Sequence, residues 1–317
     1  MTARIVALRN RSGRRLLGML DEPATRKDCG LAALLVSPGV KTRVGPHRLY
    51  RKLAPAFLSR GVPVLRLDLE GFGDSEGAPG AERLEDIYRS VECGRHVGDV
   101  ACALDWLEAE LGLRRVIVGG LCGAAITGLH SAARDRRVAA LYAIGFPVTL
   151  HGAPERPAPS SGELRSRREV YRRKLFEPAA WLRFLSLKSD FGLMLRVLRG
   201  RAAPPEQGAT PDLNPAVVPG FAALFAADRR ALLIFGERDR LRFEYEEKFA
   251  QPHAAALGRY GRRLEVAVVA RTNHVLGDPA AVAEAMRITG AWLDHHFMAI
   301  SPFAPDLASC QRTAATA

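Results

Sequence analysis

The chain has 317 residues, of which 48% are hydrophobic and 25% are charged, so it is long enough to bury a substantial core. No apolar run approaches the length that crosses a membrane, and the N-terminus lacks the hydrophobic core of a signal peptide, so no transmembrane segment is expected. Five irregularly spaced cysteines without a C-x-x-C pair argue against a disulfide framework or a zinc site and for the reducing cytoplasm. We therefore expect no metal and no cofactor.

In chain order, short apolar runs on either side of the turn at Asn10–Gly13 predict an opening β-hairpin. Apolar runs bounded by turn residues predict buried strands at Leu31–Val36, Val62–Leu69, Arg115–Gly119, Val138–Ile144, Leu232–Phe235 and Leu264–Val269. Amphipathic spacing predicts helices at His47–Arg60, Asp99–Leu111 and Ala280–Phe297, and small residues predict another from Gly123 onward. Strands that alternate with helices predict an α/β fold with a mostly parallel central sheet and helices on both faces.

This alternation is interrupted between two parts of the predicted core, residues 1–145 and 230–300. The intervening residues 146–229 are predicted to form an inserted helical lid, and residues 301–317 are predicted to be a disordered tail. The net charge of the chain is +12, and residues 151–205 alone hold twelve Lys or Arg against five Asp or Glu. No nucleic-acid recognition motif accompanies this charge, so a nucleic acid is not the expected partner.

The residues around Cys122 carry the clearest functional signal. A sharp turn separates the strand predicted to end at Gly119 from the helix predicted from Gly123, and Cys122 lies in that turn. A nucleophile between a strand and a helix is the context of the G-x-S-x-G elbow, and residues 120–124 read GLCGA, with Cys in place of Ser. Because a helix N-terminus favours a thiolate, we predict that Cys122 is a nucleophile. The alternative is a buried structural cysteine that ends a core strand.

Two further groups follow predicted strands at positions suited to a catalytic triad. Asp239 comes after Leu232–Phe235, and His274 comes after Leu264–Val269. The carboxyl ends of parallel strands share one edge of a sheet, and the order nucleophile, acid, His is that of the α/β-hydrolase arrangement. We predict that His274 takes the thiol proton and that Asp239 fixes its tautomer, with Glu237 as the alternative acid.

Backbone N–H groups are predicted to bind the oxyanion of the reaction. Gly123 follows the nucleophile, and Val40, with Gly39 next to it, follows an early strand. A second stretch, GDSEG at residues 73–77, matches G-x-S-x-G outright. It neither follows a strand directly nor precedes a helical pattern, so we interpret Ser75 as part of a structural loop at the rim of the site.

Several stretches together resemble the α/β-hydrolase superfamily, namely residues 37–77, which begin SPGVKTRVGPHRLY, and the segments GGLCGAA, GERD and TNH. The chain is most similar to the branch of serine aminopeptidases and monoacylglycerol lipases. The RVGPHRLY segment with a Cys elbow also resembles hydrolases associated with bacterial exosortase systems. The resemblance covers residues 1–145 and 230–297 and implies Cys122 as nucleophile, Asp239 as acid and His274 as base. Cys for Ser, and Ala124 for Gly, depart from the usual pattern, as in cysteine-dependent relatives such as dienelactone hydrolases.

A cysteine nucleophile indicates acyl chemistry through an acyl-Cys thioester, which stays activated toward water, alcohols and amines. The leading hypothesis is a cysteine-dependent acyl hydrolase or acyltransferase, in particular a thioesterase acting on acyl groups bound to a carrier protein or to coenzyme A. One alternative is hydrolysis of carboxylic esters or lactones. The other is a non-catalytic binding protein in which Cys122 is a relic.

The inserted segment is expected to contact the substrate. Its aromatic residues Trp181, Phe184 and Phe191 are predicted to cover an acyl chain. A cationic cluster is predicted to dock an anionic donor such as an acidic acyl carrier protein or coenzyme A, and comprises Arg167, Arg168, Arg172, Arg173 and Lys174. Two alternatives stay open: a solvated lid whose charge has no partner, and peripheral contact with an anionic membrane.

Overall fold

The computed structural model describes residues 2–26, 30–152 and 212–298. The strands in these ranges are β1 Thr2–Arg9, β2 Arg15–Glu22, β3 Leu31–Val36, β4 Val64–Leu67, β5 Arg115–Leu121, β6 Val138–Ile144, β7 Arg230–Gly236 and β8 Leu264–Val269. The helices are α1 Leu49–Leu58, α2 Leu84–Glu92, α3 Val97–Leu111, α4 Gly123–Ala132, α5 Val217–Ala226, α6 Arg240–Tyr245, α7 Ala254–Gly258 and α8 Pro279–Leu293. Short helical turns lie at Pro46–Arg48, Glu246–Ala250, Gly261–Arg263 and Asp294–Met298.

The strands form one sheet in the order β1-β2-β4-β3-β5-β6-β7-β8. β2 pairs antiparallel with both β1 and β4, and every later pair is parallel. The carboxyl ends of β3, β5, β6, β7 and β8 therefore lie at one edge of the sheet. The predicted α/β fold with a mostly parallel central sheet is confirmed.

Each face of the sheet has its own apolar core, because successive side chains of a strand point to opposite faces. On β3, Leu34 packs in the core that includes side chains of α2, α3, α4 and α5, whereas Leu35 packs in the core that includes α1 and α8. All six residues of β3 are buried, as expected for a parallel strand covered by helices on both faces. No helix in the described part of the chain is both long and apolar enough to span a bilayer.

Helix α2 lies where the sequence analysis predicted no helix, and α5 lies within the predicted helical insertion but packs in the core. In α5, Phe221 and Leu224 are buried, and the helix packs against α4 although it lies within residues 146–229, the predicted insertion. Within that insertion, Thr149 pairs with Leu213 as an isolated antiparallel bridge, which joins the chain on the two sides of residues 153–211. Residues 153–211 and 299–317 fall outside the described residues, and with them most of the predicted lid and all of the predicted tail.

Candidate active site

Cys122 alone makes the turn from β5 to α4. β5 ends at Leu121 and α4 begins at Gly123, and Cys122 has φ 54° and ψ −112°. These angles lie outside the regions favoured by non-Gly residues, as expected of the strained elbow that exposes a nucleophile at the top of a sheet. The N–H of Cys122 donates to the carbonyl of Ile144 at 2.9 Å, which ties the turn to the end of β6. The cysteine is partly exposed, so it is not the fully buried structural residue of the alternative interpretation.

A buried tyrosine supports the elbow. The N–H of Leu121 donates to the hydroxyl of Tyr50 at 2.7 Å, and the Tyr50 ring is fully buried. A Cβ at Gly120 would lie 2.1 Å from this hydroxyl, so glycine is required at this position of the elbow. Burial raises the pKa of Tyr50, so its hydroxyl stays protonated and neutral next to the nucleophile.

Asp239 and His274 form a hydrogen-bonded pair next to Cys122. Nδ1 of His274 lies 2.9 Å from Oδ2 of Asp239. Asp239 is 1% exposed, and its Oδ1 accepts the N–H of Leu241 at 2.9 Å, which caps α6 and fixes the carboxylate. With Nδ1 engaged, Nε2 is the ring nitrogen left for Cys122, the other hydrogen-bond partner of His274. The structure thus brings the three predicted triad residues together.

The imidazole of His274 is strongly biased toward its charged form. Burial alone would lower its pKa, but hydrogen bonds with Asp239 and Cys122 and the negative charges of both partners outweigh burial and raise the pKa to about 10. An imidazolium at neutral pH is the partner that stabilises a thiolate. The arrangement can therefore hold His274 as an imidazolium next to Cys122.

Gly145 makes room for this pair and was not recognised from the sequence. It follows β6 with φ 55°. A Cβ here would lie 2.5 Å from Cε1 and from Nδ1 of His274, and 2.8 Å from Oδ2 of Asp239. Any side chain at residue 145 would therefore collide with the His–Asp pair. The available signal was a glycine directly after a predicted core strand, at the edge where active groups gather.

The two alternatives weighed from the sequence have other partners. Oε2 of Glu237 accepts the N–H of Arg271 at 2.6 Å, so Asp239 is the carboxylate that bonds His274. The hydroxyl of Ser75 donates to the carbonyl of Asp68 at 2.7 Å and accepts the N–H of Leu17 at 2.9 Å. Ser75 thus ties its loop to β2, in agreement with a structural role.

The segment after β3 approaches the elbow closely. A Cβ at Gly123 would lie 2.8 Å from the backbone nitrogen of Gly39. Within the described ranges, the N–H groups of Gly39, Val40 and Gly123 donate to no backbone carbonyl. The backbone nitrogen of Gly39 therefore lies next to Gly123 at the carboxyl edge of the sheet, and the predicted donor Val40 is the next residue along the chain.

The remaining predicted site residues lie outside the described residues. They are Trp181, Phe184 and Phe191, predicted to cover the substrate, and Arg167, Arg168, Arg172, Arg173 and Lys174, predicted to dock the donor. Within the ranges that the structure describes, no three His, Cys, Asp or Glu side chains are grouped so that they could hold a metal ion.

Comparison with known proteins agrees with the fold. A sequence model of the Alpha/beta hydrolase family matches residues 34–285. An esterase of Pyrococcus furiosus is similar at 14% identity, covering 93% of this chain and 92% of that chain, with a TM-score of 0.59. A hypothetical protein of Pseudomonas aeruginosa shares the fold at 20% identity, covering 93% of this chain and 94% of that chain, with a TM-score of 0.54. The esterase domain of a Rhodothermus marinus protein shares it at 16% identity, covering 93% of this chain and 99% of that chain, with a TM-score of 0.50. A search of curated proteins finds no match.

Proposed function

Because this chain belongs to the Alpha/beta hydrolase family, we propose that it is an acyl hydrolase or acyltransferase that works through an acyl-Cys122 intermediate. The observation that carries the proposal is the assembly of Cys122, His274 and Asp239, with the pKa of His274 raised to about 10. A serine nucleophile needs a neutral imidazole to take its proton. A thiolate has already lost its proton, so a protonated His274 suits it.

Acylation begins when the thiolate Sγ of Cys122 attacks the substrate carbonyl carbon. A C–S bond forms, and the π electrons of the carbonyl move to its oxygen. The N–H of Gly123 and an N–H of the segment Gly39–Val40 bind this oxyanion, a contribution that each donor makes only as charge develops. When the tetrahedral adduct collapses, the bond to the leaving group breaks and His274 gives the departing atom its proton.

Deacylation uses the same histidine in the opposite sense. Once Cys122 is acylated it carries no charge, so one of the interactions that raise the pKa of His274 is lost. Neutral His274 then takes a proton from water, whose oxygen attacks the acyl carbon. The C–S bond breaks, Sγ leaves as a thiolate, and the acid product departs. An alcohol or amine in place of water gives acyl transfer. Asp239 holds Nδ1 protonated throughout.

Acyl thioesters are the proposed substrates. Loading Cys122 from a thioester exchanges one thioester for another, and a thiolate is a better leaving group than an alkoxide. The basic segment 151–205 supports an anionic donor, a carrier protein or coenzyme A, whose negative charge it would attract. Hydrolysis of carboxylic esters or lactones is the second candidate, favoured by similarity to structures described as esterases from Pyrococcus furiosus and Rhodothermus marinus.

The test compares acyl-coenzyme A thioesters with p-nitrophenyl esters of the same acyl groups, over several chain lengths. We expect a higher kcat/KM on the thioesters and a loss of at least about 10³-fold on both classes in Cys122→Ala. Cys102→Ala is the matched control, because Cys102 is also free and partly buried but lies on α3. Preference for the esters would select the second candidate. Turnover that persists in Cys122→Ala would refute the cysteine mechanism.

A further inference from the structure

Helix α2 holds the chain on both sides of residues 153–211 through one residue. Glu92, the last residue of α2, is 3% exposed. Its carboxylate accepts the N–H of His151 at 2.8 Å and lies 2.5 Å from Nδ1 of the same residue. Its backbone carbonyl accepts Nδ2 of Asn214 at 2.8 Å. Because His151 precedes residues 153–211 and Asn214 follows them, Glu92 binds the chain on both sides of that segment.

Tyr88, one turn earlier on α2, extends this contact toward the active site. Its ring stacks on the imidazole of His151, with centroids 5.0 Å apart and planes at 25°. The same ring lies against the segment after β3, since a Cβ at Gly39 would be 3.0 Å from Cε1 of Tyr88. Burial and the charges of Cys122 and Glu92 raise the pKa of Tyr88, which keeps the phenol neutral.

Gly39 therefore lies between the Tyr88 ring and the start of α4. On one side is Cε1 of Tyr88, and on the other is Gly123, whose Cβ position would be 2.8 Å from the Gly39 nitrogen. Gly39 has φ 56° and no side chain of its own to hold it. Oxyanion donors stabilise the transition state because they are fixed in position before the reaction. The contacts that hold the segment Gly39–Val40 therefore affect the rate of the reaction.

We propose that Tyr88 is a positioning residue for the oxyanion-binding segment Gly39–Val40, held in place by the Glu92–His151 pair. The proposal rests on the proposed function, because it requires an oxyanion at that segment. Tyr88 acts on the oxyanion donors through Gly39, the residue against which its ring lies.

Two reactions of Cys122 separate this role from general damage to the site. Alkylation by iodoacetamide uses the thiolate and His274 but forms no oxyanion, whereas acyl turnover needs both. In Tyr88→Ala we expect kcat to fall about 10- to 100-fold with little change in KM, while the alkylation rate stays at the wild-type value. An aldehyde analogue of the substrate, whose carbonyl adds to Cys122 to give a hemithioacetal oxyanion, should bind more weakly in parallel with the fall in kcat. Tyr88→Phe keeps the ring and should have the wild-type kcat and aldehyde affinity.

The Glu92–His151 pair is tested by Glu92→Gln. The control is Glu265→Gln, which alters another His–Glu contact, that between Oε1 of Glu265 and Nε2 of His296 at 2.6 Å. We expect the same selective loss of kcat and aldehyde affinity in the first variant and none in the second, with thermal unfolding confirming that both fold. Wild-type kcat in Tyr88→Ala, or alkylation that falls as much as kcat, would overturn the inference. Slow alkylation of the wild-type protein itself would instead overturn the proposed function.

Discussion

Replacing Gly145 by Ala tests the His274–Asp239 pair without altering any atom of it. The added Cβ would lie 2.5 Å from Cε1 and Nδ1 of His274, whereas ordinary contacts of a Cβ begin at 3.4 Å. The imidazole must therefore move by roughly 1 Å to restore van der Waals separation. A displacement of this size in a catalytic group costs about 10²-fold in rate. The left-handed backbone of residue 145 adds about 1–2 kcal/mol of strain for a non-Gly residue.

The assay measures kcat on an acyl thioester, the rate of iodoacetamide alkylation and the thermal unfolding midpoint. In Gly145→Ala we expect kcat to fall about 10²-fold and alkylation to slow, because the imidazolium no longer lies next to Cys122. Gly261→Ala is the matched control, since Gly261 has a similar φ of 53° with nothing within 4 Å of its Cβ position. Gly261→Ala should lower the thermal unfolding midpoint through backbone strain and leave kcat unchanged. Wild-type kcat in Gly145→Ala, or an equal loss in Gly261→Ala, would refute the reasoning.

Three further outcomes follow from the contacts of the site. Asp239→Asn removes the carboxylate that raises the pKa of His274, so kcat should fall by up to about 10⁴-fold. Glu237→Gln should leave kcat near the wild-type value, because Glu237 bonds Arg271 instead. Steady-state kinetics of both variants distinguishes the two acids. Since the pKa of His274 rises from 6.5 to about 10, its contribution to stability is fully present below pH 6.5 and is lost as the pH rises through about 10. The difference in unfolding midpoint between wild type and His274→Ala should therefore shrink over that interval, and a constant difference would contradict the raised pKa. Ser75→Ala loses its hydrogen bond to Asp68, so denaturant unfolding should show a loss of about 1 kcal/mol while kcat is retained; a dead but stable variant would show that the structural interpretation is wrong.

The elbow could be predicted from the sequence because every local signal around it agrees. An apolar run, paired glycines and a small-residue helix specify a strand, a sharp turn and a helix, and the structure places Cys122 in that turn. Asp239 and His274 could be predicted because strand ends of a parallel sheet share one edge. The resemblance to the α/β-hydrolase superfamily is confirmed. The nearer branch within it stays a prediction.

Residues whose role depends on distant partners could not be predicted. Helix α2 was not predicted, although Leu84, Ile87, Tyr88 and Val91 recur at the spacing of one helix face. Its contributions through Tyr88 and Glu92 depend on partners from other elements of the fold, so no local pattern indicates them.

The start of helix α1 was predicted two residues too early. The predicted helix at His47–Arg60 begins in the structure at Leu49, because His47 and Arg48 adopt left-handed backbone angles of φ 52° and 59°. Non-Gly residues rarely adopt this conformation, and neither residue type signals it in the sequence. The consequence is that α1 presents Tyr50 to the elbow from its second residue, a contact that propensity alone does not indicate.

The most direct test of the central claim is to locate the acyl group during turnover. The protein is mixed with an acyl-coenzyme A thioester, quenched in acid within a single turnover, and examined by intact mass and peptide mapping. We predict that wild type gains one acyl group on the peptide that contains Cys122, that hydroxylamine releases it as expected of a thioester, and that Cys122→Ala gains none. An acyl group on the peptide that contains Ser75, or any acylation of Cys122→Ala, would contradict the account.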